Sequence, residues 1–175
     1  MSNELEQFIG TWEREAAKTV KLLGCLPPDQ YDFRPDPDGR SLGELAWHLA
    51  EGDAYMTAGI EAGDFSMSTR PPGIERPRKV EELGPGYERV HRDAVARIRK
   101  LKPEDLDRSL AFMSLGPMTV REILWNMVLL HNVHHRGQLS LMCRLAGGKA
   151  VNIFGPTREE MPLPRAKQPA AAAAQ

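Results

Sequence analysis

The sequence predicts an all-α protein: a four-helix bundle with long connecting loops. Four segments carry apolar residues at spacings of three and four, and no segment reads convincingly as a strand. Two of these segments open with a capping box, the Ser/Thr-x-x-Glu pattern that satisfies free backbone N–H groups at a helix start. A chain of 175 residues is long enough to bury one sizeable core between such helices.

The first predicted helix runs from about Asn3 to Leu26 and ends at Pro27-Pro28, because proline cannot continue a helix. Its apolar face is formed by Phe8, Trp12, Ala16, Thr19, Leu22, Leu23 and Leu26. The second runs from Ser41 to about Gly63, and Ser41 with Glu44 forms its capping box. Its apolar surface is supplied by Leu42, Leu45, Leu49, Tyr55, Met56 and Ile60.

The third predicted helix runs from about Lys79 to Leu101, but the run Gly84-Pro85-Gly86 interrupts it. A start at Pro85 is the alternative, since proline is accepted in a first turn. The fourth helix runs from Thr119 to Leu145. It opens with the second capping box, and Gly147-Gly148 ends it.

The connections between the helices are long and rich in proline, as in LPPDQYDFRPDPDGR, DFSMSTRPPGIERPR and KPEDLDRSLAFMSLGPM. Loops of this length often form lids or pocket walls. The tail PLPRAKQPAAAAAQ is of low complexity. We therefore expect one helical domain over residues 1–162 and a disordered tail over residues 163–175.

Composition excludes several classes of protein. The 23 basic and 24 acidic residues give a net charge of −1, which argues against nucleic acid as a partner. No apolar run is long enough to span a bilayer, and the charged N-terminus does not resemble a signal peptide. Cys25 and Cys143 lie far apart and form no CxxC motif, as expected for reduced thiols in a cytoplasmic protein.

The segment LLHNVHHRGQLSLM holds three of the five histidines of the chain. His131 and His135 are four residues apart, so both leave the same face of the fourth helix and can chelate one metal ion. His134 points roughly 100° away from His135 and suits a helix contact or a dimer surface better. His91 lies among charged residues, and we expect it at the surface.

His48 supplies the third histidine, on a predicted helix face that should be largely buried beside Leu45 and Leu49. A buried imidazole needs an acceptor or a metal. Taken alone, an i,i+4 pair is a weak motif, and His48 alone would more often be a hydrogen-bonded core residue. Together, His48, His131 and His135 form a set from two helices that would leave coordination positions open to water or substrate.

Two stretches carry a resemblance to a known family. The run HNVHHRGQL followed by NIFGPTREEMP resembles the fourth-helix signature of the DinB/YfiT-like superfamily, and RPDPDGRSLGELAWHLAEGD resembles that family's entry into its second helix. The resemblance extends to about Pro162. It implies a four-helix bundle, commonly a homodimer, in which His48, His131 and His135 hold a divalent metal, zinc or nickel.

The family also implies several chemistries. Its characterised branches include transferases that use the thiols bacillithiol, mycothiol or glutathione, and a thiol-dependent maleylpyruvate isomerase, whereas many members have no assigned reaction. A cation held by neutral imidazoles would favour ionisation of a thiol or of a water beside it. The leading expectation is a thiol S-transferase that acts on a small electrophile. The alternatives are a metal-dependent hydrolase and a non-catalytic metal-binding or stress-response protein.

Residues near the three histidines have both functional and structural interpretations. Glu51, at i+3 from His48, is the candidate catalytic base, an orienting acceptor or a fourth ligand, or else a solvated side chain. Gly52 leaves room for a ligand or for close helix packing, and Tyr55 lines a pocket or fills the core. Gln138 shares the face of His131 and His135, as an orienting amide or a structural one.

Four further residues receive weaker expectations. Cys143 lies two turns beyond His135 and is a weak candidate for a residue beside the metal site. Arg136 should pair with a carboxylate between helices. Trp47 and Trp125 should pack in the core or at a subunit contact. Asn126 and Asn132 carry no clear functional indication.

Overall fold

A computed structural model describes residues 4–66 and 71–161 of the chain. In that part, helix α1 spans Glu4–Leu23, α2 spans Leu42–Ala62 and α3 spans Leu83–Ile98. The fourth helix is continuous and consists of α4 (Val120–Glu122), a π-helical stretch (Ile123–Leu130) and α5 (His131–Leu145). The four helices pack against one another, with α2 in contact with both α3 and α5, which confirms the predicted all-α helical bundle.

Both predicted capping boxes are present. The backbone N–H of Ser41 donates to Glu44 Oε2 at 2.8 Å, and the N–H of Glu44 donates to Ser41 Oγ at 3.2 Å. At the second box the N–H of Thr119 donates to Glu122 Oε2 at 2.8 Å. Each exchange satisfies N–H groups that a helix start leaves free, so these two helices begin where the sequence indicates.

The start of α3 lies between the two positions that the sequence suggested. A short 3₁₀ helix at Val80–Glu82 leads directly into α3 at Leu83. Pro85 therefore falls in the first turn, where its missing N–H costs no intrahelical hydrogen bond. The expectation that helix α3 begins only at Pro85 is wrong by two residues.

The loop before the fourth helix contains two strands that the sequence did not predict. Strand β1 (Ser109–Ala111) pairs antiparallel with β2 (Pro117–Thr119), and Leu110 lies opposite Met118. A run of three residues is too short to show the alternation from which strands are recognised. Between the strands, a 3₁₀ turn (Met113–Leu115) and Gly116, which adopts φ 87°, reverse the chain.

His91 is buried, contrary to the expectation that it lies at the surface. Its side chain is packed against Trp12 and stacked on Tyr87, and its Nδ1 lies 2.8 Å from Asp53 Oδ2. His91 follows Tyr87 by four residues and so shares the buried face of α3. Charged neighbours in the sequence did not reveal this, because they occupy the other faces of the helix.

The remaining structural expectations have mixed outcomes. Trp47 is fully buried and donates its Nε1–H to the Ile74 carbonyl at 3.0 Å. Trp125 packs partly buried against the core and donates to Glu4 Oε1 at 3.1 Å. The tail predicted to be disordered, residues 163–175, lies outside the described residues. Among the described helices, none is both long and apolar enough to cross a membrane.

Because α2 packs closely against α3, we expect Gly86→Ala to destabilise the folded protein. A Cβ at Gly86 would lie 2.7 Å from Cζ3 of the buried Trp47, so the indole or a helix has to move. We expect a loss of about 1–3 kcal/mol in the free energy of unfolding, measured by urea denaturation. Gly137→Ala is the matched control, because nothing lies within 4 Å of its Cβ position. Gly137→Ala should stabilise the fourth helix by up to about 1 kcal/mol. Equal losses of unfolding free energy in the two variants would show that contact with Trp47 does not explain the effect at Gly86.

Candidate metal centre

Helices α2 and α5 bring His48, His131 and His135 together, hereafter the trihistidine cluster. Each histidine of the cluster can offer one ring nitrogen, and these three nitrogens lie within 4.8 Å of one another. His131 and His135 Nε2 atoms are 3.0 Å apart. Bonds of about 2.0–2.1 Å can converge on one ion from nitrogens at this separation. The all-nitrogen donor set therefore fits a zinc or nickel ion, although it does not select between them.

The π-helical stretch ends immediately before His131. In a π helix each turn holds an additional residue, so the stretch changes the direction in which every following side chain points. Short π segments occur often at functional sites. Here the stretch lies directly before His131, so it determines which way the His131 and His135 side chains point. The sequence pattern alone did not indicate a π-helical stretch.

Two of the imidazoles are held in the neutral form that metal coordination requires. Burial, followed by the charges of His135 and His48, lowers the pKa of His131 to about 4. Burial is also the largest cause that lowers the pKa of His135, and the hydrogen bond that its ring donates to Gln138 opposes this shift. At pH 7 both rings therefore keep a free lone pair, and a cation need not displace a proton to bind them.

Gln138 and Glu51 contact the rings of the cluster. Gln138 Oε1 lies 2.7 Å from His135 Nδ1, so an Nδ1–H donor there leaves Nε2 free to face His131. Glu51 Oε2 lies 3.9 Å from His48 Nδ1, which is an ion-pair distance and too long for a hydrogen bond. Glu51 also accepts a hydrogen bond from Arg76 Nη2 at 3.2 Å.

The ion pair with Arg76 affects what Glu51 can do. Burial is the largest single influence and raises its pKa, but His48 and Arg76 together outweigh burial and lower the pKa. A carboxylate with a lowered pKa is a weak general base at neutral pH. Its oxygens are also not among the group of atoms that could share an ion with the histidines.

His131 Nδ1 is a buried atom without a hydrogen-bond partner in the described residues, and so is Asn132 Oδ1. Both atoms face Gly52, since a Cβ built there would lie 3.5 Å from Asn132 Oδ1 and 3.8 Å from His131 Nδ1. Gly52 also lines a cavity. The missing side chain thus allows close approach of the fourth helix and leaves space beside the cluster.

One cavity of about 400 Å³ opens beside His48 and His131, and we call it the apolar cavity. The rest of its wall consists of Glu51, Gly52, Tyr55, Met56, Ile74 and Met113. Its volume lies within the range of about 300–1,000 Å³ that is usual for small-molecule sites. Glu51 is the charged residue among those that line it, and Arg76 neutralises that charge. The cavity is therefore suited to an uncharged, largely apolar group.

Met113 and Tyr55 form two walls of the apolar cavity. Met113 lies at the hairpin tip with φ 47°, a left-handed conformation that a side chain rarely adopts, and its side chain is half exposed. Strained residues of this kind cluster at ligand sites. Tyr55 is fixed by a hydrogen bond from its hydroxyl to the Phe65 carbonyl.

A second cavity, of about 410 Å³, opens beside His135 and is hereafter the Arg40 cavity. The loop between α1 and α2 contributes Asp36 and Arg40, and the fourth helix contributes Gln138 and Leu141. None of the residues that line this cavity also lines the apolar cavity. The trihistidine cluster is therefore accessible from two chemically different spaces.

Three predicted neighbours lie away from the cluster. Cys143 is buried in the core with its Sγ 3.4 Å from the Cys25 carbonyl, so it does not lie beside the metal site as suggested. His134 is exposed and is not one of the three grouped histidines. Arg136 pairs with Glu15 of α1 at 2.5 Å, which confirms the predicted carboxylate partner between helices.

The sequence did not predict a buried polar network that lies behind the cluster. Asp53 is fully buried and accepts hydrogen bonds from Asn132 Nδ2 at 2.5 Å and from His91 Nδ1 at 2.8 Å. This network ties α2, α3 and the fourth helix together one residue from Gly52 and His131. The available clue was a charged residue, Asp53, within a helix that is otherwise rich in apolar residues.

Comparisons with known proteins agree with this fold and site. Residues 11–139 match the model of the DinB superfamily, and the chain belongs to that family. It is 26% identical over 162 residues to the uncharacterized protein YrdA of Bacillus subtilis (strain 168), covering 91% of this chain and 93% of YrdA.

Two solved structures share the fold. A DinB-like protein from Bacillus cereus ATCC 10987 has a TM-score of 0.71 at 24% identity, covering 88% of this chain and 100% of that one. The DinB-like protein YjoA from Bacillus subtilis has a TM-score of 0.70 at 22% identity, covering 86% of this chain and 99% of that one. At these identities the likeness concerns the fold alone.

Proposed function

We propose that His48, His131 and His135 hold one divalent metal ion and that the protein transfers a low-molecular-weight thiol to a small electrophile. The observation that carries this proposal is the trihistidine cluster beside two cavities. Three imidazoles leave the charge of a bound cation uncompensated, and such a cation lowers the pKa of a thiol or a water beside it.

The surroundings of the cluster favour a thiol over a water as the nucleophile. A thiol ionises with an ordinary pKa of about 8.5, so it needs little help from a protein base near a cation. Hydrolysis by water benefits more from a positioned general base. Glu51 is the nearest candidate, but its pair with Arg76 lowers its pKa and so weakens it as a base.

The residues of the chain would divide the remaining tasks. Gln138 would orient His135, and the apolar cavity would hold the electrophile against the cluster while excluding water. A second chain is not needed for any of these contacts. Homodimerisation, a cytoplasmic location and the absence of nucleic-acid partners remain proposals drawn from sequence.

A direct assay tests the transfer reaction. Zinc- or nickel-loaded protein without a tag is incubated with monochlorobimane and each of several low-molecular-weight thiols, and the thioether is followed by fluorescence. We expect turnover above the uncatalysed rate with at least one thiol, and a loss of about 100-fold or more in His48→Ala because the cluster is broken. Hydrolysis of 4-nitrophenyl acetate without any thiol-dependent activity would instead support the hydrolase alternative.

A further inference from the structure

Arg40 is an exposed cation close to the cluster. It lines the Arg40 cavity together with His135 and Gln138. Arg40 therefore shares a cavity with one ring of the cluster. A positive charge at this position opposes binding of a cation, so its presence requires an explanation.

The neighbouring arginines differ from Arg40 in one respect. Arg34 pairs with Glu44 at 2.8 Å, and Arg76 pairs with both Glu44 and Glu51. Within residues 4–66 and 71–161, no carboxylate lies within salt-bridge distance of Arg40. The acidic residue among those that line the cavity is Asp36, whose Oδ1 accepts a hydrogen bond from the Asp38 backbone N–H.

The two cavities differ in the charge and polarity of the side chains that line them. The apolar cavity offers methionine, isoleucine and tyrosine side chains, and its carboxylate is already paired. The Arg40 cavity combines a guanidinium that pairs with no carboxylate of the described residues with the Gln138 amide and apolar side chains that include Leu45 and Leu141. An uncharged molecule fits the first environment, and an anionic molecule with an apolar stem fits the second.

We infer that the two reactants approach the trihistidine cluster from different cavities, and that Arg40 binds a carboxylate of the thiol cosubstrate. This inference rests on the proposed function. The thiol would enter beside His135 with its sulfur toward the cluster and its carboxylate toward the guanidinium of Arg40. The electrophile would enter beside His48 and His131, over Gly52. Arg40 is thus a determinant of thiol specificity and takes no part in bond making.

The transfer step balances with no further reactant. The thiol S–H bond breaks and its proton leaves to solvent, a bond forms between sulfur and the electrophilic carbon, and the bond from that carbon to its leaving group breaks with both electrons. No oxidant or reductant is needed. The carboxylate at Arg40 remains unchanged, so it affects binding of the thiol more than the reaction itself.

The experiment compares two thiols of equal length, 3-mercaptopropionate and the neutral 3-mercapto-1-propanol. Each is titrated into zinc-loaded, ¹⁵N-labelled protein, and dissociation constants are read from amide shifts in NMR spectra. We expect the anionic thiol to bind about five-fold or more tightly and to shift the amides of Gly39, Arg40 and Gln138. The amides of Gly52 and Met113, which line the apolar cavity, should shift little.

The charge of the metal also favours an anionic thiol. Variants of two arginines therefore test whether the preference for the anionic thiol comes from Arg40 or from the metal. In Arg40→Gln the preference should fall to about two-fold or less, because the unpaired guanidinium is lost. Arg92→Gln is the matched control. Arg92 is exposed and lines a separate cavity between α1 and α3, and its replacement removes the same charge while leaving the preference unchanged.

The outcomes separate this inference from the proposed function. Binding of both thiols with a preference that persists in Arg40→Gln would overturn the role of Arg40 and leave the thiol transferase intact. Binding of neither thiol would overturn both. Shifts at Gly52 and Met113 in place of those at Gly39 and Gln138 would show that the thiol occupies the apolar cavity, contrary to the inference.

Discussion

His135→Ala is expected to lose nearly all bound metal, whereas His134→Ala keeps about one equivalent. His135 Nε2 faces His131 Nε2 at 3.0 Å, and removing it leaves at most two ligands, which bind an ion far more weakly. His134 is exposed and does not belong to the group of possible ligands. Metal content of tag-free protein after reconstitution with zinc or nickel, measured by elemental analysis, gives the result directly.

Thermal denaturation provides a second readout of the same prediction. An ion that binds the folded chain raises its stability in proportion to the logarithm of the ion concentration over the dissociation constant. Added zinc should therefore raise the Tm of the wild type and of His134→Ala, and leave that of His48→Ala and His135→Ala unchanged. Equal loss of metal in His134→Ala and His135→Ala would show that the wrong helix face has been assigned to the site.

Arg136→Met should destabilise the fold strongly, because it leaves a partly buried carboxylate on α1 without its main partner. Arg136 is 2% exposed and donates to the Glu15 backbone carbonyl at 2.8 Å and to its Oε2 at 2.5 Å. Breaking a buried pair by removing one partner costs about 3–5 kcal/mol. Glu15 keeps its contact with Lys18 at 2.6 Å, so we expect about 3 kcal/mol, measured by urea denaturation.

Arg121→Met is the matched control for this prediction. Arg121 also joins the fourth helix to α1, through Glu4 at 2.9 Å, but its side chain is 37% exposed. An exposed pair contributes about 1 kcal/mol or less, so the two variants should differ by about 2 kcal/mol. The double variant Glu15→Gln with Arg136→Met should recover part of the loss, because Glu15 then leaves no unpaired charge. Similar losses in both arginine variants would contradict the role assigned to burial.

The same pair has a defined dependence on pH. Burial is the largest influence on Glu15 and raises its pKa, but Lys18 and Arg136 together outweigh it, so the pKa is lowered. A carboxyl with a lowered pKa in the folded state contributes stability above its unfolded pKa of about 4.3, and loses it as pH falls through the folded value. The difference in stability between wild type and Arg136→Met should therefore narrow below about pH 4.

Local chemistry along the chain was sufficient to predict the helices. Apolar spacing marked their buried faces, and the capping boxes at Ser41 and Thr119 determined where two of them start. The same spacing placed His131 and His135 on one face, because side chains four residues apart lie a turn apart on any α helix. The predicted buried face of the second helix added His48 to that pair, and the family resemblance implied the same three ligands.

Other features depend on contacts between residues distant in sequence. His91 can be buried because its Nδ1 has a polar partner, Asp53 Oδ2 of α2, at 2.8 Å. No sequence pattern around either residue indicates that pairing. The hairpin of β1 and β2 is defined by hydrogen bonds between two strands of three residues, too short for periodicity to register. The π-helical stretch before His131 likewise depends on how the fourth helix packs.

The sequence by itself therefore determined the helix periods, the caps and the histidine pair, since each depends on residues within one or two turns of one another. Only the tertiary structure decided that His48 meets the pair, and that two cavities of different character open beside the cluster. Only the packing of four helices and three loops brings Met113 and Arg40 to those cavities. Such positions arise from contacts across the fold, which a single linear pattern does not encode.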